Sequence, residues 1–298
     1  MNSGSRVSEL AESDEITLRD SGLKIGEVVG EGSYGKVRKC DIIQGDTFNK
    51  AWPRIKNVAC KIIDRRTCQR NFLEKFLPRE LDIISKIRHP NIVQTYSIFK
   101  STNRVYITME YVNGGDLLKL IKSNGALTHS IAKRIFLQLS DAISYLHSER
   151  IAHRDIKCEN ILLDQSRNVK LCDFGFARYT YDKLTDEEVF SSTYCGSAAY
   201  AAPEILQGIP YDMKANDMWA MGVVLYTMVS GSMPFGERNA QRILQKQKAR
   251  INSSVNNFAG QNPALQELLK GLLEYEPIKR LRIGYVYRSS WLKSNQLK

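Results

Sequence analysis

Two short runs hold the residues best suited to chemistry. The first is His153-Arg154-Asp155-Ile156-Lys157-Cys158-Glu159-Asn160, and the second is Asp173-Phe174-Gly175. Together they set a base, positive charge, a neutral amide oxygen and a carboxylate at fixed spacings. That inventory suits phosphate transfer from a metal-bound nucleotide. Asp155 is the candidate base and positioner for a substrate hydroxyl, and Lys157 can neutralise charge on a moving phosphoryl group. Asn160 offers a neutral oxygen for a hard cation, and Asp173 an anionic one able to bridge metal and phosphates. A hydroxyl is a poor nucleophile, so alignment and charge stabilisation must supply most of the rate gain. His153 reads as a packing residue, not a proton shuttle.

Two further features belong to the same chemistry. Gly30-Glu31-Gly32-Ser33-Tyr34-Gly35 is followed by Lys36 to Cys40, which alternates as a strand and does not open a helix. The glycines therefore form a hairpin, whose backbone N–H groups can close over phosphates without intervening side chains. Val37 falls on the adenine face. Lys61 follows Val58-Ala59-Cys60 in an apolar strand, where an inward ammonium needs partners to offset its desolvation. Phosphate oxygens supply one, and Glu80 on the next helix supplies another. Ile84, one turn later, points back into the core.

The elements that position these residues follow from periodicity. Residues 1–20 are polar and without period, and read as a loose tail. Strands are expected at 24–29, 36–40, 57–63, 92–99 and 105–111. Leu73, Leu77, Leu81, Ile84 and Ile87 share one helical face, and Pro78 delays the regular helix to about Leu77. Gly114-Gly115 closes this strand-rich part. Helices follow at 131–148, 218–231, 239–250 and 263–273, the second apolar all round as a central helix should be.

Composition narrows the classes. The 298 residues suit two lobes of unequal size. No apolar run approaches the ~20 residues of a membrane helix, and the first residues have no apolar core, so neither membrane insertion nor a secretory signal is expected. The six Cys include no Cys-x-x-Cys, so reduced thiols in a cytoplasmic protein are expected. The net charge of +11 is spread along the chain without a nucleic-acid-binding motif, so nucleic acid is not an expected partner.

Gly30 to Val37, Val58-Ala59-Cys60-Lys61, His153 to Asn160, Asp173-Phe174-Gly175 and Ala202-Pro203-Glu204 resemble, in order, the signature set of eukaryotic protein kinases. The resemblance implies an α+β, bilobal protein kinase fold: a small antiparallel β-sheet N-lobe with one regulatory helix, a larger mainly helical C-lobe, and an ATP cleft between them. The implied boundaries are a flexible tail at 1–22, a kinase domain at 23–293 (N-lobe 23–111, hinge 110–115, C-lobe 116–293) and a C-terminal tail at 294–298. The implied cofactors are ATP and Mg2+, with Mn2+ as the alternative. The implied nucleotide-binding residues are Gly30, Glu31, Gly32, Ser33, Tyr34, Gly35, Val37, Ala59, Lys61, Glu80, the gatekeeper Met109, the hinge residues Glu110, Tyr111 and Val112, Asp116 and Leu162. Phe174 is implied to be structural. Lys157 is similar to the serine/threonine class.

The segment Thr193-Tyr194-Cys195-Gly196-Ser197-Ala198-Ala199-Tyr200-Ala201-Ala202-Pro203-Glu204, with Gly231-Ser232-Met233-Pro234-Phe235, resembles the testis-specific serine kinases of the calcium/calmodulin-dependent branch. That implies a role in sperm or germ cells. It also implies a monomer acting on serine or threonine of protein substrates, an upstream activating kinase or autophosphorylation, and a chaperone as a further partner. Thr193 is the implied phosphosite, with Ser191 and Ser192 as alternatives, and Arg154 brings a charge that needs an anion. Glu204 is expected to pair with Arg280, and Asp217 to accept hydrogen bonds from the backbone around Arg154. Tyr200 is expected to form the shelf beneath the residue after the target. The resemblance also implies that Asp116 and Glu159 face the peptide groove, where they would favour arginine upstream of the target. The chain departs from the pattern in a longer linker before Lys61 that contains Trp52-Pro53, in Ser197 where many relatives have threonine, in Ala220 where serine is usual, and in Ser290-Trp291. Ser197 can still bridge Asp155 and Lys157, and none of these changes removes a catalytic atom. Two other readings are a kinase-shaped scaffold without turnover and a basic nucleic-acid-binding module.

Overall fold

The computed structural model describes residues 12–32, 35–43, 55, 57–236, 239–250 and 262–294. Ser33, Tyr34 and the excursion around Trp52-Pro53 lie outside the described residues. The chain divides into two units, residues 1–73 with 94–111 and residues 74–93 with 112–298.

The first unit is a five-stranded sheet. Its strands are β1 (Leu23–Gly32), β2 (Gly35–Ile42), β3 (Asn57–Asp64), β4 (Thr95–Lys100) and β5 (Arg104–Glu110), arranged β1-β2-β3-β5-β4. Every neighbouring pair is antiparallel. Alternation along β3 sorts its side chains between the two faces. Val58, Cys60 and Ile62 join Leu23, Cys40 and Tyr106 in one apolar cluster, and Ala59 and Lys61 lie on the opposite face. The glycine hairpin is in register, with Gly32 opposite Gly35 and Gly30 opposite Val37. A Cβ at Gly35 would collide with the carbonyl of Ile62 on β3, so only glycine lets β2 approach this closely.

Helix α1, Glu12–Asp20, replaces the expected loose tail in part. Leu18 is fully buried in the same cluster as Leu23 and Cys40. A short polar helix carries no readable period, and burial of Leu18 against the sheet favours its conformation.

The second unit is mainly helical. A π-helical turn, Phe72–Phe76, leads into α2, Leu77–Lys86, which starts where Pro78 predicts. Helices α3 (Leu117–Asn124), α4 (His129–Ser148) and the short strands β6 (Ile151–Ala152), β7 (Ile161–Leu163), β8 (Val169–Leu171) and β9 (Arg178–Tyr179) follow. Ile92 and Val93, expected in a strand of the first sheet, instead meet Leu171 in this unit. The remaining helices are α5 (Pro203–Leu206), α6 (Met213–Ser230), α7 (Ala240–Arg250), α8 (Pro263–Leu272), α9 (Ile283–Val286) and α10 (Ser290–Lys293). Helix α6 is the axis of the unit: its residues from Ala215 to Val229 are all buried, and Asp212 caps its first turn through the N–H groups of Lys214 and Ala215. All six Cys are free thiols. Among the described residues no helix is long and apolar enough to cross a membrane.

Candidate active site

The first reactive run forms a loop between β6 and β7, pinned from below by Asp217 of α6. Arg154 has φ 67°, a left-handed conformation costly for a side chain of its size. The cost is offset by two charge-assisted bonds: the N–H groups of His153 and Arg154 donate to the Asp217 carboxylate at 2.9 and 2.8 Å. His147 Nε2 adds a contact at 3.0 Å. His153 is fully buried. Its Nδ1 accepts from the N–H of Asp155 at 3.3 Å, and its Nε2 meets the carbonyl of Cys172 at 3.1 Å. Both ring nitrogens are thus committed to backbone, which makes His153 a brace between the two runs.

Asp155 is buried, and both carboxylate oxygens are held. Lys157 Nζ donates to Oδ2 at 2.7 Å, and Asn160 Nδ2 to the same oxygen at 3.0 Å. The N–H and hydroxyl of Ser197 donate to Oδ1 at 3.1 and 3.2 Å. Lys157 Nζ also reaches Ser197 Oγ at 3.1 Å, so Ser197 bridges acid and lysine. A carboxylate fixed in this way can orient a hydroxyl and accept its proton, with a cation beside the bond that breaks. Gly196, next to Ser197, has φ +84°, and a Cβ there would lie 2.6 Å from the carbonyl of Arg154, so the segment passes the loop only as glycine.

The residues present fit a divalent cation. Asn160 Nδ2 is spent on the carbonyl and carboxylate of Asp155, at 2.9 and 3.0 Å, which leaves its amide oxygen as the ligand atom. Asp173 is exposed with φ 61°, and its Oδ1 accepts from the N–H of Gly175 at 3.4 Å. Among the described residues no three His, Cys, Asp or Glu gather as a protein-only metal cage. An oxygen pair that relies on substrate phosphates is how Mg2+ is usually bound. Phe174 is buried and meets the His153 ring edge-on, with centroids 4.9 Å apart. Glu80 of α2 is buried near the same turn: a Cβ on Gly175 would come within 3.8 Å of its Oε2. Ile84 is buried one turn further along α2.

The nucleotide-binding residues expected in the first unit fall on its strands. Gly30, Glu31 and Gly32 end β1, and Gly35 and Val37 open β2. Lys61 lies opposite Val37 and Ile107, and Ala59 opposite Met109. Glu110 and Tyr111 close that unit, and at Val112 the chain re-enters the second. There, Asp116 bridges to Leu162. The Asp116 carboxylate also caps α3, accepting from the N–H of Lys119 at 2.8 Å, a role the sequence reading did not include.

The second unit brings Glu159, Tyr200 and Cys158 together. The Tyr200 hydroxyl donates to Glu159 Oε2 and accepts from the N–H of Cys158, both at 3.3 Å. Glu204 and Arg280 form a buried bidentate pair at 2.6 and 3.0 Å. Thr193 is exposed, and Ser191 is fully buried. Four residues escaped the sequence reading: Tyr211, Arg79, Arg178 and Gln247. Burial, followed by the like charges of Arg79 and Arg154, pushes Arg178 below its ordinary value. Gln247, fully buried on α7, donates to the carbonyl of Ala201 at 2.9 Å. The unmet charge of Arg154 was the one sequence signal that pointed toward this arginine group.

Comparisons with known proteins agree with this geometry. The protein kinase domain family model matches residues 23–292. Testis-specific serine/threonine-protein kinase 2 of Mus musculus is 43% identical over 284 residues, covering 94% of this chain and 76% of that protein. Testis-specific serine/threonine-protein kinase 3 of Mus musculus is 42% identical over 281 residues, covering 94% of this chain and 99% of that protein. CBL-interacting protein kinase 31 of Oryza sativa subsp. japonica is 32% identical, covering 97% and 61%. The protein kinase family implies use of ATP with a divalent metal, and protein substrates. With Asp155, Lys157, Asn160 and Asp173 all in place on this framework, the chain belongs to the protein kinase family and is a protein serine/threonine kinase related to the testis-specific kinases.

Proposed function

We propose that phosphorylation of Thr193, by an upstream kinase or by the chain itself, activates this enzyme. The observation that carries the reading is the position of Arg154: it is buried, and its terminal nitrogen lies 3.3 Å from the carbonyl of Thr193. A phosphate on the exposed Thr193 would bring the missing counter-charge and order the segment. Ser191 is the weaker alternative because it is buried and already engaged. Thr193→Ala is expected to lower peptide-kinase activity strongly after treatment with an activating kinase, with nucleotide binding retained. Equal rates for variant and wild type, both treated, would overturn the reading.

The substrate preference proposed is for basic residues upstream of the acceptor. The exposed Glu159 beside Tyr200 and the carboxylate of Asp116 support it. A positional peptide library should show arginine selected there and the selection weakened in Asp116→Ala and Glu159→Ala. A flat library would contradict it. Mg2+ is the proposed metal, with Mn2+ as the alternative, since Asn160 and Asp173 offer hard oxygens to either. A cytoplasmic monomer acting in sperm or germ cells, with a chaperone partner, is the proposed setting, supported by relatives named testis-specific. A scaffold without turnover is disfavoured by the intact Lys61, Asp155, Asn160 and Asp173.

A further inference from the structure

The guanidinium of Arg154 is not waiting empty for a phosphate. It is buried, and four neutral groups already surround it. Its Nε and one terminal nitrogen donate to the Tyr211 hydroxyl at 3.2 and 3.0 Å. That terminal nitrogen also reaches Ser191 Oγ at 3.0 Å and the carbonyl of Thr193 at 3.3 Å, and the other reaches the carbonyl of Phe176 at 3.3 Å.

Tyr211 is the hub of this arrangement. It lies just before α6 and is 3% exposed. Its hydroxyl takes both arginine bonds and donates its own proton to the carbonyl of Thr193 at 3.0 Å. Its backbone forms a two-way bridge with Ser191, each N–H donating to the other's carbonyl at 3.0 Å. Cys195 Sγ lies 3.9 Å from the same hydroxyl. Tyr211 therefore fastens the segment at 191, 193 and 195, directly ahead of Gly196 and of Ser197, whose two donors hold Asp155.

We propose that Tyr211 is a positioning residue that stands in for the activating phosphate. By satisfying Arg154 and fixing the backbone at Thr193, it keeps Ser197 on Asp155 in the unphosphorylated chain. The enzyme then has a basal activity that does not require Thr193 phosphorylation, and the phosphate adds to an order already present. This inference rests on the reading of Thr193 as the activating site. A phosphate at Thr193 would give Arg154 a stronger, charged acceptor, so the phosphorylated chain should depend less on the phenol.

The test compares Tyr211→Phe, which removes one oxygen atom, in two backgrounds of the full chain, using ATP and a synthetic basic serine peptide. In Thr193→Ala, measurable basal activity is expected, and adding Tyr211→Phe should lower kcat/KM for the peptide by about tenfold or more, the scale of losing hydrogen bonds to a charged group. The affinity for ATP should stay within about twofold by the same arithmetic. In the Thr193-phosphorylated chain, the same substitution should cost less than about threefold. Equal losses in the two backgrounds would reduce Tyr211 to a general structural residue and overturn the proposal, as would no loss in Thr193→Ala. If the double variant does not fold, hydrogen exchange of the 191–197 amides in the Tyr211→Phe single variant, unphosphorylated against phosphorylated, decides instead. Faster exchange confined to the unphosphorylated form supports the proposal, and no difference overturns it. A wild type that gains nothing on Thr193 phosphorylation would sink the activation reading, while the Thr193→Ala pair still judges Tyr211.

Discussion

Ser197 meets Asp155 twice through one carboxylate oxygen, its N–H at 3.1 Å and its hydroxyl at 3.2 Å from Oδ1. Lys157 meets both partners, at 2.7 Å from Asp155 Oδ2 and 3.1 Å from Ser197 Oγ. The base is thus oriented by a segment distant in sequence, so the placement of that segment is part of catalysis.

Ser197→Ala removes a donor to Asp155 and an acceptor for Lys157 while keeping the backbone contact. Hydrogen bonds to charged groups contribute about 1.5–3 kcal/mol, so kcat/KM should fall about ten- to hundredfold, and Ser197→Thr should recover most of it. Steady-state kinetics on one peptide check this. An alanine variant with wild-type rates would show that the hydroxyl does not orient the base.

Glu204 and Arg280 are joined by two bonds with both side chains buried, and Arg280 also donates to the carbonyls of Ala215 and Glu274. Removing one partner leaves the other as a buried unpaired charge, at a cost of about 3–5 kcal/mol. Arg280→Met should lower the midpoint of urea unfolding accordingly. A midpoint unchanged from wild type would mean the pair is not the brace its burial implies.

Cys158 predicts an alkaline sensitivity. Burial pushes its thiol up to about 12, from an ordinary value of 9.0. The unfolded chain therefore loses this proton first as pH rises. The stability Cys158 contributes is complete below about pH 8.5 and is lost progressively up to about pH 12, with a slope of about −1.4 kcal/mol per pH unit for one proton. Cys158→Ala should make unfolding free energy less steep between about pH 9 and pH 11. An identical slope in variant and wild type would contradict the assignment.

Much of this site was legible because its residues are carried by short runs whose local spacing sets their geometry. The loop from His153 to Asn160, the turn at Asp173 and the glycine hairpin are of this kind. The start of α2 at Leu77 followed from Pro78, and the buried α6 from its unbroken apolar character. What escaped depends on contacts between distant segments. Helix α1 depends on the burial of Leu18 in the sheet cluster. Tyr211 acts through one hydroxyl that no periodicity marks. Gln247 sits in a helix read as amphipathic and basic, yet is buried because its amide reaches the carbonyl of Ala201. The cap formed by Asp116 was readable, since an Asp directly before a helical run is an N-cap signal, but its groove role drew attention first.

Phosphate transfer from radiolabelled ATP to a generic basic serine peptide, compared between wild type and Asp173→Asn in the presence of Mg2+, is the most direct measurement of kinase activity at this site. Wild type should label the peptide on serine, and Asp173→Asn should lose about a hundredfold or more, because the anionic oxygen that bridges metal and phosphates is gone. Absence of labelling by the Thr193-phosphorylated wild type, or equal labelling by the two proteins, would contradict the account.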